Sequence, residues 1–97
     1  MKLADLMEQL DSLDDALTIY AERNPDWSAN SLAVALPEPE EGGVPDEAQG
    51  MSYLLEVFLA KDVVQAWSGW RGGRKPSVKD KCEAVIYYAE RDAYLPT

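Results

Sequence analysis

The 97 residues include 18 acids against 9 bases, no histidine and one cysteine, for a formal charge of −9 on a chain that is 46% hydrophobic. That is enough chain for a single domain (residues 1–97) with one core, too apolar for wholesale disorder and too negative to favour DNA, RNA or an anionic membrane surface. A lone Cys82 excludes an internal disulfide and Cys-rich or His-rich metal sites, so neither metal nor cofactor is expected.

From Lys2 to Leu13 the apolar residues Leu3, Leu6, Met7, Leu10 and Leu13 recur at the spacing of a short amphipathic helix. Asp5 and Glu8 interrupt its apolar positions, so it cannot serve as the core of a signal peptide, and no run reaches the length of a membrane span. A cytoplasmic, soluble protein is the expectation. Ala16 to Ala21 has the β-branched and aromatic content of a strand. Asn24, Pro25 and Asp26 suit a type I turn, and Ser31 to Leu36 reads as a second strand.

Pro37 to Gly50 holds three prolines, three glycines and five carboxylates, a composition that predicts an irregular acidic loop. Ser52 to Leu59 reads as a third strand, with Tyr53, Leu55 and Val57 on one face and Leu54, Glu56 and Phe58 on the other. Two largely apolar faces there would permit a dimer, and the sequence leaves the oligomeric state open. Lys61 and Asp62 open a helix whose stripe is Val63, Val64, Trp67 and Trp70, ended by Gly72 and Gly73. Ser77, with Asp80 three residues on, is placed to cap a last helix that buries Val78, Cys82, Val85, Ile86 and Ala89.

Charge is segregated along the chain. Residues 1–60 carry thirteen acids against Lys2 and Arg23, whereas residues 61–97 carry five acids against seven bases. Carboxylates alone, without histidine, an activated cysteine or a phosphate-binding glycine loop, make a poor catalytic set. The adjacent Asp14 and Asp15 point apart in either backbone conformation. The ligand register of an EF-hand is absent from the acidic loop. Its five carboxylates, Glu38, Glu40, Glu41, Asp46 and Glu47, are either solubilising charge or a docking surface for a basic protein. Trp70, next to a glycine break and flanked by Arg71 and Arg74, has the composition of a binding hot spot. It could equally cover the end of the core with Arg71 stacked on it.

The segment VVQAWSGWRGGRKPSVKDKCEAVIYYAERDAYLP resembles one that recurs in a family of small acidic bacterial proteins, and DDALTIY and the Trp27 turn extend the likeness loosely. Some members look like immunity proteins of toxin systems, including contact-dependent growth inhibition, in which a small acidic protein binds and blocks a toxin domain. The resemblance transfers no catalytic motif.

The expected fold is α+β: a small antiparallel three-stranded sheet with an N-terminal helix and two C-terminal helices, the helices covering one face. The expected function is non-enzymatic: an immunity protein that neutralises a basic toxin, a nuclease above all, by occluding its active site or substrate groove. A phage-type mimic of nucleic acid and a non-enzymatic adaptor are the alternatives. Glu38, Glu40, Glu41, Asp46, Glu47, Trp70, Arg71 and Arg74 are the candidate partner-binding residues.

Overall fold

The structure, a computed structural model, describes residues 1–96. Its elements run α1 (Leu3–Glu8), β1 (Thr18–Ala21), β2 (Ala33–Leu36), β3 (Ser52–Glu56), α2 (Val57–Gly69) and α3 (Val78–Arg91). The strands form one antiparallel sheet in the order β2-β1-β3, so the architecture is α+β with one N-terminal and two C-terminal helices.

The N-terminal stripe is buried as its spacing predicts, with Leu3, Leu6, Met7 and Leu10 all in the core. The expected single helix from Lys2 to Leu13 is nevertheless two pieces, because α1 stops at Glu8 and Leu10–Ser12 is a 3-10 turn. The Gln9 N–H reaches only three residues back, to the Leu6 carbonyl at 3.2 Å, which tightens the last turn. The Ser12 hydroxyl donates to the Gln9 carbonyl at 2.8 Å. At the other end, the Lys2 N–H donates to the Asp5 carboxylate at 3.0 Å. The Leu3 and Ala4 N–H groups, which have no partner within the helix, donate to the carbonyls of Ser31 (2.8 Å) and Ala29 (3.0 Å).

Helix packing falls on one face of the sheet. Ile19 and Ala21 of β1 belong to the helix-side core, together with Val57, Ala60, Val63 and Trp67 of α2 and Cys82, Ala84 and Val85 of α3. Tyr20, between them in the strand alternation, is also fully buried but lies outside that cluster, on the opposite face.

The third strand departs most from expectation. It ends at Glu56, and Val57 to Leu59, which read as its second half, form the first turn of α2. Valine and phenylalanine there carry strand propensity, but Val57, Ala60, Val63, Val64 and Trp67 continue a helical stripe, and burial of that stripe overrides propensity. Phe58 is left 47% exposed on the outer side. The alternation of β3 is broken too: Ile19 faces Leu55 while Tyr20 faces Tyr53, so Leu54 is an extra residue in a bulge. Leu54 and Leu55 are thereby both buried, so the expected alternation of Tyr53, Leu55 and Val57 against Leu54, Glu56 and Phe58 is lost.

Lys61 lies within α2 rather than at its start. Its ammonium donates to the Leu13 carbonyl at 2.7 Å and pairs with Asp15 at 2.5 Å, tying the α2 side of the fold to the segment before β1. The Asn24–Pro25 peptide is cis, not the trans bond of the expected type I turn. The capping arrangement of α3 is as the sequence predicts: the Asp80 N–H donates to the Ser77 hydroxyl (3.1 Å), and the Ser77 N–H donates to the Asp80 carboxylate (3.0 Å).

Candidate functional site

The acidic segment between β2 and β3 is more ordered than its composition suggests. Asp46–Ala48 forms a 3-10 turn, and Pro45 and Ala48 are buried. Ala48 is fully buried yet, like Tyr20, stands outside the helix-side core, so this segment is a strap between β2 and β3 fastened at two points. Anchoring by two small apolar residues leaves the carboxylates outward: Glu38, Glu40, Glu41, Asp46 and Glu47 are all exposed. Among the described residues none of the five makes an ion pair.

The strap divides its carboxylates. Glu41, Asp46 and Glu47 gather around a shallow depression of about 240 Å³ that Pro39, Gly42 and Val44 also line. Glu38 instead lies toward Tyr20 and Tyr53, whose rings meet edge-on at 6.1 Å. Burial, with Glu38 adding, raises the pKa of the Tyr20 hydroxyl; burial raises that of Tyr53 further, with Glu56 and Glu38 adding. The Tyr20 hydroxyl is buried with no hydrogen-bond partner among the described residues.

Trp70, Arg71 and Arg74 belong to a different part of the fold, the connection between α2 and α3. Trp70 caps α2, is 53% exposed and does not join the buried stripe. It meets Tyr94 edge-on at 5.7 Å, and Tyr94 in turn packs on Tyr88 at 5.5 Å. The arginines do not stack on Trp70. Arg71 and Arg74 lie over the ring of Trp67, at 4.4 and 4.9 Å from its centroid.

Arg71 has a structural task in addition. Its guanidinium donates to the carbonyls of Trp67 (3.0 Å), Pro96 (3.0 Å) and Leu95 (3.5 Å), closing the end of α2 and clasping the C-terminal segment. Its planar fork sends donors from two separate nitrogens, one to α2 and one to the C-terminal segment, a span that the single nitrogen of a lysine does not match. Of the three, Trp70 and Arg74 are therefore more available to a partner than Arg71. Gly73, at φ 84°, returns the chain by donating its N–H to the Ser68 carbonyl at 2.8 Å.

A third feature escaped the sequence. Trp27 folds back so that its indole N–H donates to the Ala21 carbonyl at 3.0 Å, and the Arg23 guanidinium covers its ring at 3.8 Å. Between this turn and α3 runs a groove of about 430 Å³. Trp27, Ala29, Ile86 and Leu95 give it apolar walls, Cys82 lies at its base, and Lys79, Glu83 and Glu90 stand along α3. Those α3 positions recur every three or four residues, marking a second face of the helix beside the core stripe. That periodicity and a tryptophan in an otherwise polar turn were the available signals.

Cys82 is buried, as expected of a lone cysteine on an apolar stripe. Burial, with Glu83 adding, pushes its pKa up to about 11, so it is a protonated thiol at neutral pH and a poor nucleophile. Among the described residues no cluster of three or more His, Cys, Asp or Glu is placed to hold a metal ion, and no helix is long and apolar enough to cross a membrane.

A family model described as a domain of unknown function, DUF7716, matches residues 1–97. The chain belongs to that family. No curated protein and no solved structure matches it. Within this DUF7716 chain, the acidic strap, the Trp70 corner and the Trp27 groove are thus distinguished by their own chemistry.

Proposed function

We propose that this DUF7716 domain is a binding protein that neutralises a basic protein, a toxin domain with nuclease activity being the class its chemistry suits, in the manner of an immunity protein. The observation that carries the proposal is the strap: five exposed carboxylates, without an ion pair among the described residues, held on a segment fastened by the buried Pro45 and Ala48. Pinning matters because a charged surface fixed in advance loses less freedom on docking than a floppy tail. A nuclease must itself present positive charge to an anionic backbone, which makes it the electrostatic counterpart of such a surface. The further step to an immunity protein rests on the likeness of the C-terminal segment to a family of small acidic proteins, some of which look like immunity proteins.

Neutralisation would follow from occlusion of the partner's substrate groove. Strap carboxylates would accelerate encounter, and aromatic contacts such as Trp70 would slow release. The test is capture of partners on the tagged protein at low and then high salt, followed by assay of the captured protein's nuclease activity with and without this chain. Retention at high salt together with loss of that activity is the expected result. A captured protein whose activity is unchanged, or no partner even at low salt, would return the strap carboxylates to solubilising charge.

A further inference from the structure

The Trp27 groove does not end at its apolar walls. At Ser28 it adjoins a second depression, of about 210 Å³, lined by Glu22, Asn24, Asp26 and Asn30. One wall is built in advance. The Ser28 N–H donates to the Ser31 hydroxyl (2.9 Å), the Asn30 N–H donates to the Ser28 hydroxyl (3.2 Å), and the first N–H groups of α1 hold the Ala29 and Ser31 carbonyls. The other wall is a helix. An apolar well and a polar, acidic cleft are thereby held side by side by braced backbone.

Charge decides what would fill them. None of the neighbouring bases lines the cleft: Lys79 stands 4.0 Å from Glu83 on α3, Arg23 lies over Trp27, and Arg91 lies over Tyr87 and 3.9 Å from Glu90. Among the described residues Glu22 and Asp26 have no basic partner, and no base lines their cleft.

We infer that the groove and cleft together receive a segment of a basic protein in which a bulky apolar side chain, seated among Trp27, Ile86 and Leu95, stands next to a lysine or arginine that meets Glu22 and Asp26. This deepens the proposed function, on which it rests, by placing the anchor of the partner at the Trp27 turn and leaving the strap the task of steering. An apolar anchor in a dry well with its charged neighbour in an adjacent cleft is the pairing that gives an interface both affinity and register.

The experiment needs no cognate partner, so it can fail separately from the proposed function. Amide shifts of the full chain would be followed by NMR while three short synthetic peptides are added: one of leucine and lysine, one of leucine and glutamate, one of serine and lysine. The leucine–lysine peptide should bind at least about tenfold more tightly than the other two, shift Ser28, Ala29, Glu83 and Ile86, and slow the reaction of Cys82 with a thiol reagent. Glu22→Gln with Asp26→Asn, both at polar surface positions, should weaken that peptide about fivefold while leaving the native spectrum intact. Ile86→Ala should weaken it through the well. Equal binding by the serine–lysine peptide, shifts confined to the strap, or no shift at millimolar peptide would overturn the inference.

Discussion

Replacing Tyr20 by phenylalanine should stabilise the fold. Tyr20 is fully buried, and its hydroxyl has no hydrogen-bond partner among the described residues, so folding strips that group of water without replacing the lost bond. Such a group costs roughly 1–3 kcal/mol. Phenylalanine keeps the ring, including the edge-on contact with Tyr53 at 6.1 Å, and removes only the oxygen. Allowing part of the gain for a small void where the oxygen sat, the net effect is about 1 kcal/mol of added stability, or about 5 °C in Tm for a domain of this size.

Urea unfolding at neutral pH, followed by tryptophan fluorescence, measures it directly, with an unchanged m-value as the control. A second reading comes from alkali. The folded pKa of Tyr20 is raised, so its contribution to stability is complete below the unfolded value near pH 10 and is lost as pH rises through the folded value. The wild type should therefore lose stability above about pH 10 more steeply than Tyr20→Phe, with Tyr53 accounting for what remains. A Tyr20→Phe protein destabilised by about 1 kcal/mol or more would refute the reasoning, since it would mean that the hydroxyl is bonded, with Glu38 the first group to examine.

Three further expectations concern the helices. Ser77→Ala removes the hydroxyl half of the α3 cap and should cost about 1 kcal/mol by urea unfolding. Hydrogen bonds from the Ser77 N–H and then from the Ser77 hydroxyl hold the Asp80 carboxyl below the usual carboxylate range, with Arg74 and Arg71 assisting. The stability this provides is present above about pH 4 and lost as pH falls through the lowered folded value, so acid titration should show a smaller loss in Ser77→Ala. Arg71→Ala should cost about 1–2 kcal/mol and speed amide exchange at Leu95, and Arg71→Lys should fail to restore either, because donors on a single nitrogen do not span the two segments that Nη1 and Nη2 join; full rescue by lysine would contradict the clasp. Cys82, with a pKa near 11, is about one part in a thousand thiolate at pH 8, so a disulfide reagent should label the native protein far more slowly than the urea-unfolded chain; comparable rates would contradict its burial.

The sequence alone determined the order of the elements, the N-terminal and α3 stripes and the Ser77–Asp80 cap, because these rest on spacings of three and four residues that local geometry enforces. Segregation of acid into the first sixty residues was equally legible, since charge needs no fold to be counted. Tertiary structure decided where β3 yields to α2. The run from Leu54 to Leu59 satisfies both strand and helix, and only the Leu54 bulge and the burial of Val57 choose between them. It also decided that Arg71 serves Trp67 and the C-terminal carbonyls rather than Trp70, and that Pro45 and Ala48 fasten the acidic segment as a strap. The groove beside Trp27 was hidden for the same reason: its two walls come from residues more than fifty positions apart, and their meeting is a product of packing that no local pattern encodes.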